Sequence, residues 1–201
     1  MMQGGVTPRE RLLAGAMEHV AANGIGDLSL RSLAAELGTS HRMLSYHFGT
    51  RALLLTAVSR EVERRQRAWF AEMLAQDTEP VELMRGMHQR ISDPALHNQE
   101  RLFFELYARA LVDGAEVQGF LPEAVEAWIE PSSELFRRLG FDEDDARAEA
   151  RLSLAVARGL LLDLLATGDR AAVDAAVERY LSRYEPRQAR ATTTRNTFSK
   201  R

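Results

Sequence analysis

The sequence contains no cysteine. Disulfide bonds, thiol catalysis and cysteine-ligated zinc are therefore excluded, and the composition suits a reducing compartment. No apolar run approaches the roughly 20 residues that a membrane-spanning helix needs. The first ten residues, MMQGGVTPRE, lack the basic and apolar segments of a secretory signal. We therefore expect a cytoplasmic protein without a membrane segment.

Lysine is almost absent, since Lys200 is the only lysine among 26 basic residues and the others are arginines. The arginines occur along the whole chain, which favours a GC-rich coding genome over selection for phosphate binding as their explanation. The formal net charge of −3 excludes a surface that is basic throughout. DNA binding by one face remains compatible with this total, because the distribution of charge matters more than its sum.

The alternation of apolar and polar residues that is typical of β-strands is also missing. Instead, apolar residues recur at helical spacing between glycine, proline and capping residues, which predicts an all-α fold with about nine helices. The predicted segments are approximately 8–23, 30–37, 41–48, 51–74, 80–91, 98–112, 122–139, 143–167 and 170–184. Pro131 lies inside the seventh segment and should kink or split it.

The stretch from Ser29 to Arg51 has the pattern of a helix-turn-helix. Ser29 and Ser40 are suited to cap two short helices, and Gly38 between them stands where a left-handed residue ends a helix. Leu44 and Phe48 share one face of the second helix at spacing i, i+4. The side chains left to project elsewhere are His41, Arg42, Met43, Ser45, Tyr46 and His47. We therefore predict that Phe48 is buried, that Tyr46 is exposed, and that this helix binds DNA.

The eighth predicted segment is apolar around most of its circumference, so it should be buried on two sides. One side can pack on its own subunit, while the other needs a partner. Together with the final helix, this surface predicts a homodimer through helices 8 and 9, about residues 143–184, that forms a four-helix bundle. The alternative is a monomer that buries both sides internally.

A small-molecule site is expected between the central helices, because helical bundles place ligands in such positions. The candidate lining residues are Met84, Met87, His88, Phe103, Phe104, Tyr107 and Trp128. Each of them taken singly is more often an ordinary core residue. No metal site and no cofactor are predicted, since His41 and His47 have no further donors at a ligating spacing.

An enzyme is the competing class of function. Glu105 and Arg109 lie one helical turn apart, and His88 lies on a neighbouring helix. A Glu–Arg pair at this spacing is usually a surface ion pair. No combination of nucleophile and base is visible, so we predict that the protein is not an enzyme.

The chain resembles the tetracycline-repressor (TetR) family of bacterial transcription regulators. The residues that carry the resemblance are Leu28-Ser29-Leu30-Arg31, Leu33-Ala34, Gly38, Ser40, Leu44, Tyr46-His47-Phe48, Gly49-Thr50-Arg51 and Leu54. The specific match covers about the first 60 residues. Beyond them, only the number and order of the helices and the two-sided eighth helix agree with the family.

The resemblance implies a homodimeric repressor that binds a pseudo-palindromic double-stranded operator through its third helix. The DNA-binding residues that it implies are Arg31, Ser40, His41, Arg42, Met43, Ser45, Tyr46, His47, Thr50 and Arg51. Two positions depart from the family pattern. Ser45 replaces the usual aromatic residue and leaves the base preference undefined, whereas Arg51 replaces a lysine and keeps its charge.

Three parts of the chain are expected from the helical pattern, from the lack of periodicity after Pro186 and from the resemblance. Residues 1–50 would bind DNA, residues 51–186 would bind an effector and dimerise, and residues 187–201 would form a basic, disordered tail. A ligand between helices 4 and 8 would tilt the long fourth helix and move the two DNA-binding units apart. The alternative is a dimeric regulator without a small-molecule effector, controlled by a protein partner or by its abundance.

Overall fold

The computed structural model describes residues 7–76, 78–113 and 119–185. Within these ranges the chain forms nine α-helices and no strand, which confirms the all-α prediction. The helices are α1 (Pro8–Asn23), α2 (Leu30–Glu36), α3 (His41–Phe48), α4 (Arg51–Ala75), α5 (Pro80–Ile91), α6 (His97–Asp113), α7 (Phe120–Arg138), α8 (Glu143–Thr167) and α9 (Arg170–Leu181). A single 3₁₀ turn, Pro94–Leu96, precedes α6 and was not predicted.

The predicted helix starts are confirmed by their caps. Ser40 Oγ accepts a hydrogen bond of 3.1 Å from the Met43 amide, and Thr50 Oγ1 accepts one of 3.2 Å from the Leu53 amide. These bonds satisfy amides that have no partner inside the helix. Gly38 has the left-handed φ of 63° that the turn between α2 and α3 requires.

The structure corrects two predictions, the interruption of α7 and the end of α9. α7 runs through Pro131 without a break, so the prediction of a split there is wrong. Proline removes one hydrogen bond from a helix interior, but α7 packs along α8 over its length and this contact holds the helix together. α9 ends at Leu181 and not at the predicted residue 184, because residues 182–184 form turns.

Two apolar clusters form the core. The first joins α1, α2 and α3 to the first half of α4, to α6 and to the start of α7. The second lies around Phe70, Trp128 and Phe136, between α4, α5, α7 and α8. The first cluster crosses the boundary that we placed after residue 50. The division into three parts remains a prediction, and its tail, residues 187–201, lies outside the described residues.

Among the described helices, none combines the length and the apolar character that crossing a membrane would require.

Candidate DNA-binding surface and buried cavity

α3 presents one buried face and one open face. Leu44 is fully buried and Phe48 is 6% exposed, so both belong to the core as predicted. On the opposite side Tyr46 is 79% exposed and Met43 is 41% exposed. His41 and Arg42 are exposed beside them, whereas Ser45 and His47 are half-buried. The structure therefore gathers on one open surface most of the α3 side chains that we expected to face DNA.

The neighbouring elements give this surface a basic character. Arg31 is exposed in the first turn of α2, and between Ser29 and Arg51 three arginines stand against one acid, Glu36. That acid is engaged elsewhere, because its Oε2 lies 2.7 Å from Nδ1 of His19 on α1. Ser40 and Thr50 are exposed at the starts of α3 and α4, where backbone amides point outward. Such helix starts attract phosphate groups.

The ring of His47 packs against two neighbouring aromatic rings. Its ring packs edge-to-face on Tyr46, with 5.1 Å between the ring centroids, and it also contacts the ring of Phe48. Its Nε2 is buried and has no hydrogen-bond partner among the described residues. The histidine therefore supports the exposed tyrosine more directly than it faces solvent.

Arg51 lies in a different environment from the one expected for a phosphate-binding side chain. Its Nε donates a hydrogen bond of 2.6 Å to the carbonyl oxygen of Leu28, and its Nη2 donates one of 2.6 Å to that of Ile25. The side chain is half-buried. Arg51 thus ties the start of α4 to the loop between α1 and α2, and only part of its guanidinium remains for DNA.

A partly open cavity of about 120 Å³ lies between α4, α5, α6, α7, α8 and α9. Six of the seven residues predicted to line a ligand site line it: Met84, Met87, His88, Phe103, Phe104 and Trp128. Tyr107 does not line it. This tyrosine lies one helical turn beyond Phe103 and packs under the guanidinium of Arg158, 5.6 Å from its carbon to the ring centroid.

The sequence analysis did not predict the polar residues of the cavity wall other than His88; among them, Glu63, Gln66, Glu100 and Arg158 carry charged or amide groups. Trp128 Nε1 donates a hydrogen bond of 2.6 Å to Glu63 Oε2, and Gln66 Nε2 donates one of 2.6 Å to Glu100 Oε1. A signal was available in the sequence. Gln66 precedes the apolar Phe70 by four residues and Glu100 precedes Phe104 by four, so each shares a buried helix face.

Burial shifts the protonation of this group. The pKa of Glu100 is raised to about 8, mainly by burial. The hydrogen bond from Gln66 opposes this shift, the nearby Glu63 contributes to it, and Arg158 opposes it. Burial also raises the pKa of Glu63, against the hydrogen bond from Trp128. Burial lowers the pKa of the Arg158 guanidinium, although both acids favour its charged form. Two acids and one arginine therefore share a poorly solvated space.

The residues considered for catalysis are not brought together. Glu105 and Arg109 form a partly exposed ion pair with 2.6 Å between the oxygen and the nitrogen. His88 turns instead to Asp174 on α9, with 3.0 Å between Nε2 and Oδ1. The Glu105–Arg109 pair is thus an ion pair of the kind common on helix surfaces.

Comparison with known proteins agrees with this geometry. The model of the family described as bacterial regulatory proteins, tetR family, matches residues 12–58, which contain α2, α3 and the start of α4. Over these residues the chain is similar to the DNA-binding region of TetR regulators. Its N-terminal unit is the helix-turn-helix DNA-binding domain of a TetR-family transcription regulator.

Solved structures of TetR regulators share the fold over nearly the whole chain. A TetR transcriptional regulator from Legionella pneumophila has a TM-score of 0.70 at 18% identity, covering 90% of this chain and 98% of its own. A TetR-family regulator from Rhodococcus sp. has a TM-score of 0.67 at 23% identity, covering 87% and 95% respectively. BioQ bound to its double-stranded DNA operator has a TM-score of 0.58 at 21% identity, covering 88% and 99%. A search of curated proteins gave no match to the sequence.

Proposed function

We propose that this protein is a homodimeric transcriptional repressor of the TetR type that leaves its operator when a small molecule occupies the cavity between α4 and α9. The observation that carries the proposal is the open face of α3, which a capped and firmly packed helix-turn-helix holds away from the core. BioQ, which shares the fold, has been solved with its double-stranded DNA operator.

Within this proposal, the exposed side chains of α3 contact base edges in the major groove. Arg42 can donate two hydrogen bonds to one guanine, and Met43 can contact a thymine methyl group. Tyr46 and Arg31 contact the groove or its edges, and the starts of α3 and α4 contact phosphates through their amides. Arg51 has mainly a positioning role, because its carbonyl bonds fix the orientation of the DNA-binding unit on α4.

The outer face of α8 supports a dimer. Leu162 is 50% exposed and Leu152 is 39% exposed. Between them, Gly159 has open space where a Cβ would stand. A large apolar face with a small residue at its centre allows a second helix to approach closely, and the exposed alanines of α9 extend this face. A dimer would also supply the two DNA-binding units that a pseudo-palindromic operator needs.

Two helices connect the cavity to the DNA-binding unit. α4 begins at that unit and carries Glu63 and Gln66 into the cavity. On α6, Asn98 Nδ2 donates a hydrogen bond of 2.9 Å to the carbonyl of Ala21 on α1, while Glu100 lines the cavity. A ligand that moves either helix would therefore move the DNA-binding unit. To cause release, it must bind the displaced arrangement more tightly than the DNA-bound one.

The alternative is a dimeric regulator without a small-molecule effector. It predicts a core that is filled between α4 and α8. The cavity of about 120 Å³ and its buried acids favour the ligand-responsive version, because unfilled space and buried charge both cost stability.

The test begins with selection of bound fragments from random DNA, followed by a screen of small molecules for release of the selected fragment. We expect a two-fold symmetric sequence with half-sites about one helical turn apart. Selection of no sequence would contradict DNA recognition by α3. Unchanged operator affinity in the presence of a saturating cavity ligand would contradict the ligand response.

A further inference from the structure

We infer that the cavity binds a small organic cation, an amine attached to one ring or to an apolar group of similar size, through the carboxylates of Glu63 and Glu100. This inference rests on the proposed function, whose effector site it assigns to a chemical class. Three features of the cavity support it: the unused oxygens of the two acids, the lack of an ion-pair partner for Glu100 among the described residues, and the size and apolar character of the remaining wall.

Each acid uses only one of its oxygens within the described part of the chain. Glu63 Oε2 accepts from Trp128, and Arg67 Nη1 lies 3.6 Å from the same oxygen. Glu100 Oε1 accepts from Gln66. No described residue hydrogen-bonds to Glu63 Oε1 or to Glu100 Oε2, although both acids line the cavity. The wall therefore offers two acceptors to a ligand that can donate.

The two acids outnumber the one arginine among the side chains that line the cavity. Arg158 is the only arginine or lysine that lines the cavity in the described structure, and its Nη2 already donates a hydrogen bond of 2.6 Å to the carbonyl of Ala124. Its guanidinium also stacks over Phe103, 5.0 Å from the ring centroid. Of the two acids, Glu63 has Arg67 beside it at 3.6 Å, whereas Glu100 has no ion-pair partner within the described structure. A cationic ligand would pair with Glu100 and favour its carboxylate form, whereas an anion would gain no such partner and would compete with the Ala124 carbonyl for Arg158.

The rest of the wall suits an apolar body and a cation together. Rings of Phe70, Phe103, Phe104 and Trp128 line the cavity beside Met84 and Met87. The faces of aromatic rings attract organic cations. The volume of about 120 Å³ is near that of apolar cavities, about 150 Å³, that bind benzene. One ring with a short amine therefore matches the space.

Binding of a cation should release a proton. The titratable and charged groups that line the cavity around Glu100 are Glu63 on α4, His88 on α5, Arg158 on α8 and Tyr180 on α9. Without a ligand, burial keeps Glu100 largely protonated near neutral pH, because its pKa is raised to about 8. A cation favours the carboxylate, so its affinity should rise as the pH increases towards that value.

The test uses three probes of similar size with the full-length protein: benzylamine as the cation, benzyl alcohol as the neutral molecule and benzoate as the anion. Isothermal titration calorimetry should show benzylamine binding at least about tenfold more tightly than benzyl alcohol, with benzoate weakest. From about pH 6 to about pH 8, where the amine stays protonated, only benzylamine should gain affinity.

Three variants locate the effect. Glu63→Gln and Glu100→Gln keep the shape of the side chain and should each reduce the preference for benzylamine over benzyl alcohol by about tenfold. Glu72→Gln, on the exposed side of the same α4, should leave all three affinities unchanged. Thermal unfolding of each variant, followed by circular dichroism, establishes that it is folded. Binding of benzyl alcohol then reports the integrity of the cavity independently of charge.

The outcomes separate the two proposals. Equal or tighter binding of benzyl alcohol or benzoate, or no binding of any probe, would overturn the assignment of a cation and leave the DNA-binding function standing. A preference for benzylamine that survives both cavity substitutions would also overturn it. Tight benzylamine binding without any change in operator affinity would support the cation site but contradict the ligand-responsive part of the proposed function.

Discussion

The side-chain amide of Gln66 on α4 donates a hydrogen bond of 2.6 Å to a carboxyl oxygen of Glu100 on α6. This bond joins the helix that begins at the DNA-binding unit to the helix that contacts α1. Both partners are buried, and the pKa of Glu100 is raised to about 8 by that burial. The stability of the protein is therefore linked to pH through one residue of the cavity.

We expect the free energy of unfolding to fall as the pH rises from about 4.5 to about 8. In this window the folded state keeps a proton on Glu100 that the unfolded chain releases, since the ordinary pKa of the group is 4.5. One such proton corresponds to a slope of about 1.4 kcal/mol per pH unit. Glu100→Gln has no proton to lose, so urea unfolding at a series of pH values should give a shallower slope.

The control for this slope is Glu105→Gln on the same helix, where the acid is partly exposed and paired with Arg109. It should keep the slope of the unaltered protein, because exposed ion pairs contribute little. Equal slopes for Glu100→Gln and the unaltered protein would show that Glu100 is ionised in the folded state.

Arg42→Ala should weaken binding to the selected operator by about 1–3 kcal/mol and relax the preference at one base pair. The exposed guanidinium lies on the open face of α3, where it can contact a base edge. Fluorescence anisotropy with operator and with random DNA measures both effects. Arg109→Ala, on the distant α6, is the matched control and should change neither affinity. An equal loss on random DNA would instead make Arg42 a phosphate contact.

Arg51→Ala should lower the free energy of unfolding by about 2 kcal/mol or more, because it removes two charge-assisted hydrogen bonds to the carbonyls of Ile25 and Leu28. Urea unfolding measures this change. Arg31→Ala, which removes an exposed arginine from α2, should have little effect on stability.

The same two variants separate an effect on DNA affinity from an effect on the stability of the fold. If Arg51 acted mainly on phosphate, its replacement would lower the salt dependence of binding by about one counterion and leave stability unchanged. That result would contradict the positioning role that we assign to Arg51.

If the protein is the dimer that we propose, Leu162→Glu should convert it into monomers, because the substitution places a charge on the apolar outer face of α8, where the native leucine is 50% exposed. Sedimentation equilibrium should then give the mass of one chain. Leu111→Glu is a matched control, since Leu111 is a 67% exposed leucine on α6 rather than on the proposed interface. A dimer that persists in Leu162→Glu and is lost in Leu111→Glu would place the interface on α6.

The fold was largely predictable because local signals determine it. Thr7, Ser29, Ser40 and Thr50 cap helices where the sequence predicted, and Leu44 and Phe48 are buried as their spacing required. Each of these assignments depends on residues within a few positions of one another. Pro131 was the exception, since the packing of α7 against α8 outweighs the local tendency of proline to interrupt a helix.

The cavity was predictable only in part, because its chemistry depends on residues far apart in sequence. The aromatic and methionine residues on α5, α6 and α7 stood out as apolar side chains at helical spacing. Glu63 and Trp128 are 65 positions apart, and no local pattern indicates that their side chains form a hydrogen bond. The hydrogen bonds of Arg51 could not be predicted for the same reason, since the carbonyls that accept them lie more than 20 positions earlier.

The first apolar cluster extends from the DNA-binding unit into α4, α6 and the start of α7 without interruption. A fragment that ended at residue 50 would expose Leu33, Leu44 and their neighbours to water. The DNA-binding unit is consequently not an exchangeable module. A chimera that grafted another regulator's unit onto this chain would also need the matching surfaces of α4 and α6.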